Sequence, residues 1–208
     1  MCFLQVRGYI IKEKISNFVI QIRYSNRMNF IKQTLQDVWV IEPQLYGDHR
    51  GYFTETFRKD LFEQHIGPVD FIQDNESKSS LGVFRGLHYQ TGAFVQAKLV
   101  RVLKGSVIDI IVDLREESET YGQHLQIELS EENKKQLFVP RGFAHGFVVT
   151  SDEAVFSYKV DNTYSPAHEV CICYSDPTLS ITLPILATEL KLSEKDKLGL
   201  TFADAPKF

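Results

Sequence analysis

From residue 36 onward the chain consists of short runs of β-branched and aromatic residues, mostly eight to twelve positions apart and punctuated by Gly, Pro, Asp and Asn. Such runs suit a pleated, half-buried surface, and their spacing is the rhythm of a sandwich or barrel. Strands are predicted at 38–41, 52–57, 71–73, 97–103, 107–113, 125–129, 137–139, 147–150, 155–160 and 170–174. The runs at 97–103 and 107–113 are rich in Val, Ile and Leu, as the inner strands of a sheet are. Between them, Lys104-Gly105-Ser106 predicts a tight hairpin. Helix is scarce: one or two turns at 60–65 and short pieces at 130–135 and 187–191. The pattern predicts an all-β domain over roughly 36–180, followed by a C-terminal excursion.

Composition narrows the function. At 208 residues, 43% hydrophobic and 24% charged, the chain is long enough for one globular domain with a real core. A net charge of −4 gives no bias toward nucleic acid, and no apolar run reaches membrane-spanning length. Three cysteines do not make a disulfide framework. Cys171 and Cys173, two apart on one strand face, read as reduced thiols of an intracellular protein. Residues 1–27 differ from the rest. Arg7, Lys12, Lys14, Arg23 and Arg27 against Glu13 give them +4, which leaves −8 for the remainder. They lack the apolar core and cleavage site of a secretory signal, and the sequence restarts at Met28. Residues 1–27 are therefore expected to be a dispensable extension, and 28–208 a single domain.

The candidate chemistry centres on Arg85-Gly86-Leu87-His88-Tyr89-Gln90. A strand histidine taken alone is more often structural, but this one has Arg85 before it and Lys98 after it. Histidine moves protons near neutral pH, and fixed cations suit a substrate that is or becomes an anion. His145 lies between Gly142 and Gly146, which permit close approach of a ligand or a neighbouring backbone. Tyr158 shares a strand face with Phe156 and is suited to donate a proton opposite a histidine. Tyr164 sits in a turn where its ring is free to stack. Asp113, Asp176, Asp196 and Asp204 lie at element ends, where a solvated turn residue or helix cap is the commoner role and orienting a histidine the alternative; their spacing does not choose among them. No His-x-His pair occurs, and His49, His65, His124 and His168 are isolated, so a catalytic metal is not expected.

Several linked segments together resemble the dTDP-4-dehydrorhamnose 3,5-epimerase family. They are Gly47-Asp48-His49-Arg50-Gly51-Tyr52-Phe53, Phe71-Ile72-Gln73-Asp74-Asn75, the His88 motif, Lys98-Leu99-Val100-Arg101-Val102, Pro140-Arg141-Gly142-Phe143-Ala144-His145-Gly146-Phe147 and Leu192-Ser193-Glu194-Lys195-Asp196. The match runs in order over about residues 30–205. The resemblance implies a metal-free cupin, a double-stranded β-helix or jelly roll with a few short helices. It also implies a cytoplasmic homodimer with exchanged N-terminal strands, a dTDP-sugar substrate and no cofactor. By resemblance His88 is the base, Tyr158 the acid, Asp196 the carboxylate that holds the histidine, and Lys98 the cation beside the C4 oxygen. Arg50, Phe53 and Glu55 match nucleotide-contacting positions on the exchanged strand, and Gln73 and Asn75 the thymidine and diphosphate region. Arg85 matches a diphosphate-binding arginine, His145 a substrate-side histidine and Tyr164 an aromatic near thymine.

The chain departs from the family at Thr91-Gly92-Ala93-Phe94-Val95-Gln96, where a proline-containing loop is usual, and at Tyr174, where tryptophan is common. Competing readings are a single-carbon epimerase of a related dTDP-4-keto sugar, a non-catalytic sugar-nucleotide-binding cupin, and a metal-dependent cupin dioxygenase. The last is disfavoured by the missing histidine pair. A chain begun at Met28 is expected to keep the melting temperature and activity of the full chain; loss of either would show that residues 1–27 are needed.

Overall fold

The computed structural model describes residues 28–208, so the expectation for residues 1–27 lies outside the described residues. Thirteen strands and two short α-helices follow in order. They are β1 Met28–Lys32, β2 Trp39–Pro43, β3 Leu45–Asp48, β4 Gly51–Thr54, α1 Lys59–His65, β5 Gln73–Ser80, β6 Phe84–Gln90, β7 Lys98–Lys104, β8 Ser106–Asp113, β9 His124–Ser130, β10 Gln136–Val139, β11 Phe143–Val149, β12 Glu153–Val160, β13 Glu169–Cys171 and α2 Glu194–Lys197. They form a six-stranded sheet, β1-β2-β10-β7-β12-β5, a five-stranded sheet, β13-β6-β11-β8-β9, and the separate hairpin β3-β4. All strand pairings within the three sheets are antiparallel. From β5 to β8 and again from β9 to β13 the chain crosses from one sheet to the other at every step, the winding of a jelly roll.

Three apolar clusters explain why the inner strands are so hydrophobic. Val100, Val102, Val107, Ile111, Leu137, Phe147 and Phe156 fill the space between the sheets. Phe84, Ile110, Val112, Val148, Leu179 and Phe202 form a second cluster, in which the C-terminal segment covers the outer face of the five-stranded sheet. Ile41, Leu99 and Phe138 join Phe62 of α1 outside the six-stranded sheet. Strands such as β8 are thus covered on both faces, which removes the usual alternation.

Several expected elements are corrected. The turn at Gly105 is not a hairpin within one sheet. It carries the chain between sheets, because β7 pairs with β10 and β12 while β8 pairs with β9 and β11. Gly105 has φ +74°, and a Cβ there would lie 2.0 Å from the Glu153 carbonyl oxygen. Residues 130–135 form a turn rather than a helix. The Asn133 Oδ1 accepts from the backbone N–H groups of Ser130 and Lys135 at 3.1 and 3.0 Å, a local alternative to helical pairing. The helix expected at 187–191 is one 3₁₀ turn, Ala187–Glu189. Strand β5 extends well beyond the 71–73 segment. Its Gln-Asp-Asn-Glu-Ser-Lys-Ser-Ser run has no apolar residue because it is an edge strand, held by backbone pairing to β12. Strands β1 and β3 fall outside the predicted runs altogether.

Candidate active site

The two sheets do not close at one end, and a cavity of about 340 Å³ opens there. Arg85, His88, Lys98, His145, Tyr158 and Asp196 line it, with Phe147 and Phe156 beside them. Alternation explains the convergence. On β7, Lys98 shares a face with the core residues Val100 and Val102; on β12, Tyr158 shares one with Phe156; on β11, His145 shares one with Phe143 and Phe147. Polar side chains thus occupy inward positions at the end where the apolar core stops. His88 and His145 are register partners across β6 and β11. Gly86 and Gly146 let these strands approach: a Cβ on Gly86 would lie 2.5 Å from the Gly146 Cα.

His88 and Asp196 form the tightest pair in the cavity, with Nε2 to Oδ1 at 2.6 Å and Asp196 4% exposed. The other carboxylate oxygen accepts from Ser193 Oγ at 2.7 Å, and Ser193 also caps α2 by accepting from the Asp196 N–H. With Nε2–H donated to the carboxylate, Nδ1 keeps its lone pair. Burial lowers the His88 pKa, Lys195 and Lys98 lower it further, and Asp196 opposes them. The imidazole is therefore biased toward its neutral, proton-accepting form. Tyr158 is displaced the other way: burial raises its pKa, Glu169 adds to the rise and Arg85 opposes it. Burial pulls the Lys98 ammonium down to about 8 against the attraction of Asp109 and Glu169.

A second pair lies deeper. His145 Nε2 sits 2.9 Å from Oδ2 of Asp109, which is fully buried on β8. Burial raises the Asp109 pKa, while His145 and Lys98 counter it. None of Asp113, Asp176 and Asp204 orients a histidine. Asp113 holds Arg115, Ser118 and Thr120; Asp176 accepts from the Thr178 and Phe202 backbone; Asp204 pairs with Thr201. Asp109 went unnoticed in the sequence, although one carboxylate inside the run Val107-Ile108-Asp109-Ile110-Ile111-Val112 is a signal in itself.

The fold and site lead to known relatives. The family model for dTDP-4-dehydrorhamnose 3,5-epimerase matches residues 32–204. The chain belongs to this family. It is 48% identical over 182 residues to the dTDP-4-dehydrorhamnose 3,5-epimerase of Shigella flexneri, covering 87% of this chain and 99% of that protein. The crystal structure of the enzyme of that name from Elizabethkingia anophelis superposes with a TM-score of 0.83 at 51% identity, covering 86% and 98% of the two chains. A dTDP-6-deoxy-D-glucose-3,5-epimerase from Legionella pneumophila, solved with dTDP-4-keto-L-rhamnose, gives a TM-score of 0.83 at 44% identity, covering 86% and 95%.

The remaining residues expected of an epimerase of this family are more dispersed. Asn75 is the register partner of Tyr158, so its side chain points to the same face, and it accepts from Gln73 at 2.7 Å. Arg50 and Phe53 lie on the β3-β4 hairpin, away from the cavity lining; Arg50 pairs with Asp48, and Phe53 is 65% exposed. Glu55 follows that hairpin and pairs with Arg58 at 3.5 Å. Tyr164 donates to Glu169 Oε2 at 2.5 Å, and Glu169 also pairs with Lys195 beside Asp196. Burial works against the Glu169 carboxylate, but Lys195 and Tyr164 outweigh it and hold its pKa low. The unusual 91–96 loop makes one 3₁₀ turn, Gly92–Phe94, pinned where Asn162 Nδ2 donates to the Ala93 and Val95 carbonyls. Tyr174 packs on Phe84 with ring centroids 4.8 Å apart.

Proposed function

We propose that this cavity carries out the 3,5-epimerase reaction of the family, inverting C3 and C5 of dTDP-4-dehydro-6-deoxy-D-glucose by removing and returning protons. The observation that carries the reading is that His88 and Tyr158 stand on opposite sheets facing one cavity. The C4 ketone acidifies the hydrogens on both neighbouring carbons. His88 Nδ1 takes one of them from one side of the ring, and Asp196 stabilises the imidazolium that forms. The electron pair moves onto the C4 oxygen, where the Lys98 ammonium receives the developing charge, an effect worth roughly 3 kcal/mol per donor. Tyr158, held protonated by its raised pKa, returns a proton from the opposite wall, and the carbon inverts. The ketone is the electron sink, so the chemistry requires no cofactor. Arg85 and its planar fork suit the diphosphate.

The same reading takes residues 28–208 as the catalytic unit and places it in the cytoplasm; no helix among the described residues is long and apolar enough to cross a membrane. It includes a homodimer. Tyr46, Tyr52 and Phe53 are 47%, 58% and 65% exposed on a hairpin that stands outside both sheets, which suits a segment that completes the nucleotide side of a partner's cavity. Gln73, Asn75 and Tyr164 then face the nucleoside from their own subunit.

Three measurements test this. In heavy water, turnover is expected to place deuterium at both C3 and C5, and His88→Ala to lose about 10²–10⁴ in rate. Exchange at C5 alone would reduce the enzyme to a single-carbon epimerase. Tyr158→Phe is expected to retain exchange while losing inversion. The pH profile of kcat/KM is expected to be bell-shaped. Activity rises as His88 loses its proton below its ordinary pKa, and falls as Lys98 loses its charge through about 8. Lys98→Met should abolish the alkaline limb; an unchanged limb would remove Lys98 from the mechanism. Finally, re-equilibrating inactive Arg50→Ala and His88→Ala subunits together is expected to restore about a quarter of native sites, since half the dimers are mixed and each has one intact site. No restoration would mean that Arg50 serves its own subunit.

A further inference from the structure

Cys171 takes no part in the proton transfers, yet it stands directly behind the His88–Asp196 pair. It is the register partner of His88 on β13, and its Sγ lies 4.0 Å from Asp196 Oδ1. Imidazole nitrogen, carboxylate oxygen and thiol sulfur all lie within 4.8 Å of one another. They come from β6, α2 and β13, three separate elements held by sheet pairing and by the Ser193 cap.

We propose that His88, Cys171 and Asp196 form a binding site for a thiophilic divalent cation of the Zn²⁺ type, and that its occupancy silences the epimerase. Zinc binds nitrogen and oxygen at about 2.0–2.2 Å and sulfur at about 2.3 Å, so tetrahedral ligands sit roughly 3.3–3.7 Å apart. The His88–Asp196 edge, now 2.6 Å, must open by under about 1 Å, and the Cys171–Asp196 edge, now 4.0 Å, must close slightly. The open cavity supplies water for the fourth position. The ligand set also selects the ion. Lys98 and Lys195 face the site from its cavity side, and their charge disfavours every cation. A hard ion such as Mg²⁺ or Ca²⁺ gains too little from one carboxylate to overcome this, whereas zinc gains the imidazole and the thiolate.

Protons balance as follows. Zinc bonds to His88 Nε2, whose proton shifts to Nδ1, and to Cys171 Sγ, whose proton leaves to solvent. The ring is then protonated at the nitrogen that serves as the base, and the carboxylate is engaged by the metal. The inhibition rests on His88 being that base; the binding site does not.

The test uses the full chain with added metal. Co²⁺ is expected to produce a thiolate-to-cobalt charge-transfer absorption that Zn²⁺ displaces and Cys171→Ser lacks. Zn²⁺ is expected to inhibit turnover reversibly, with recovery on chelation. Cys171→Ser should keep basal turnover while its half-inhibiting Zn²⁺ concentration rises by roughly tenfold or more. The proposal is overturned if Co²⁺ gives no thiolate band, if the band survives Cys171→Ser, or if that variant is as zinc-sensitive as the native chain. A band without inhibition would leave the metal site standing and count against His88 as the base.

Discussion

The hydrogen bond between His88 and Asp196 joins residues 108 apart, and the rest of the site depends on it. A carboxylate as buried as Asp196 is costly unless every oxygen is partnered. Here one oxygen takes the imidazole N–H and the other the Ser193 hydroxyl. Helix α2 has only four residues and no amphipathic face of its own to hold it in place. Its position comes from the segments on either side. Lys191 bridges to Val83 just before β6, and Leu200 bridges to Ile172 just after β13. Beyond these bridges, Leu179, Phe202 and Ala205 pack against the outer face of the five-stranded sheet. Apolar burial on the back of a sheet thus places a carboxylate at the cavity end of it.

Facing sheets also create the chemistry. A sandwich presents two walls to anything bound between them, so a base on one and an acid on the other approach a sugar ring from opposite sides. Inversion needs that arrangement, and side chains on a single sheet face would not supply it. The same enclosure sets protonation states. Burial lowers His88 and Lys98 and raises Tyr158, leaving a neutral imidazole, a protonated phenol and an ammonium near the limit of its range. Asp109, buried on β8, offsets part of the cost of placing Lys98 there and holds His145 from beneath.

Much of this was legible in the chain. Inner strands β8 and β10 read clearly because burial on both faces demands nearly continuous apolar runs, β7 and β12 because Val, Leu, Phe and Tyr recur along them, and glycine-flanked histidines mark where backbones approach. Three features were not legible, each for a physical reason. Strand β5 is wholly polar, because an edge strand needs backbone pairing rather than apolar surface. The Gly105 turn looks like a hairpin locally, and only the choice of partners shows that β7 and β8 lie in different sheets. Asp113, Asp176 and Asp204 were indistinguishable from Asp196 by spacing, and only the family resemblance singled out Asp196, since a carboxylate at a turn reads alike whether it caps a backbone or grips a histidine.

The sequence by itself determined the class of fold, the family and the residue types available for proton transfer, because hydrophobic period and linked motifs are properties of neighbours along the chain. The His88–Asp196 pairing was implied by the family resemblance and not by spacing; tertiary structure alone decided that Asp109 underlies His145 and that Cys171 stands behind the His88–Asp196 pair. Those relations join residues tens of positions apart, and they arise only when two sheets and a C-terminal segment pack together and bury their charges in common.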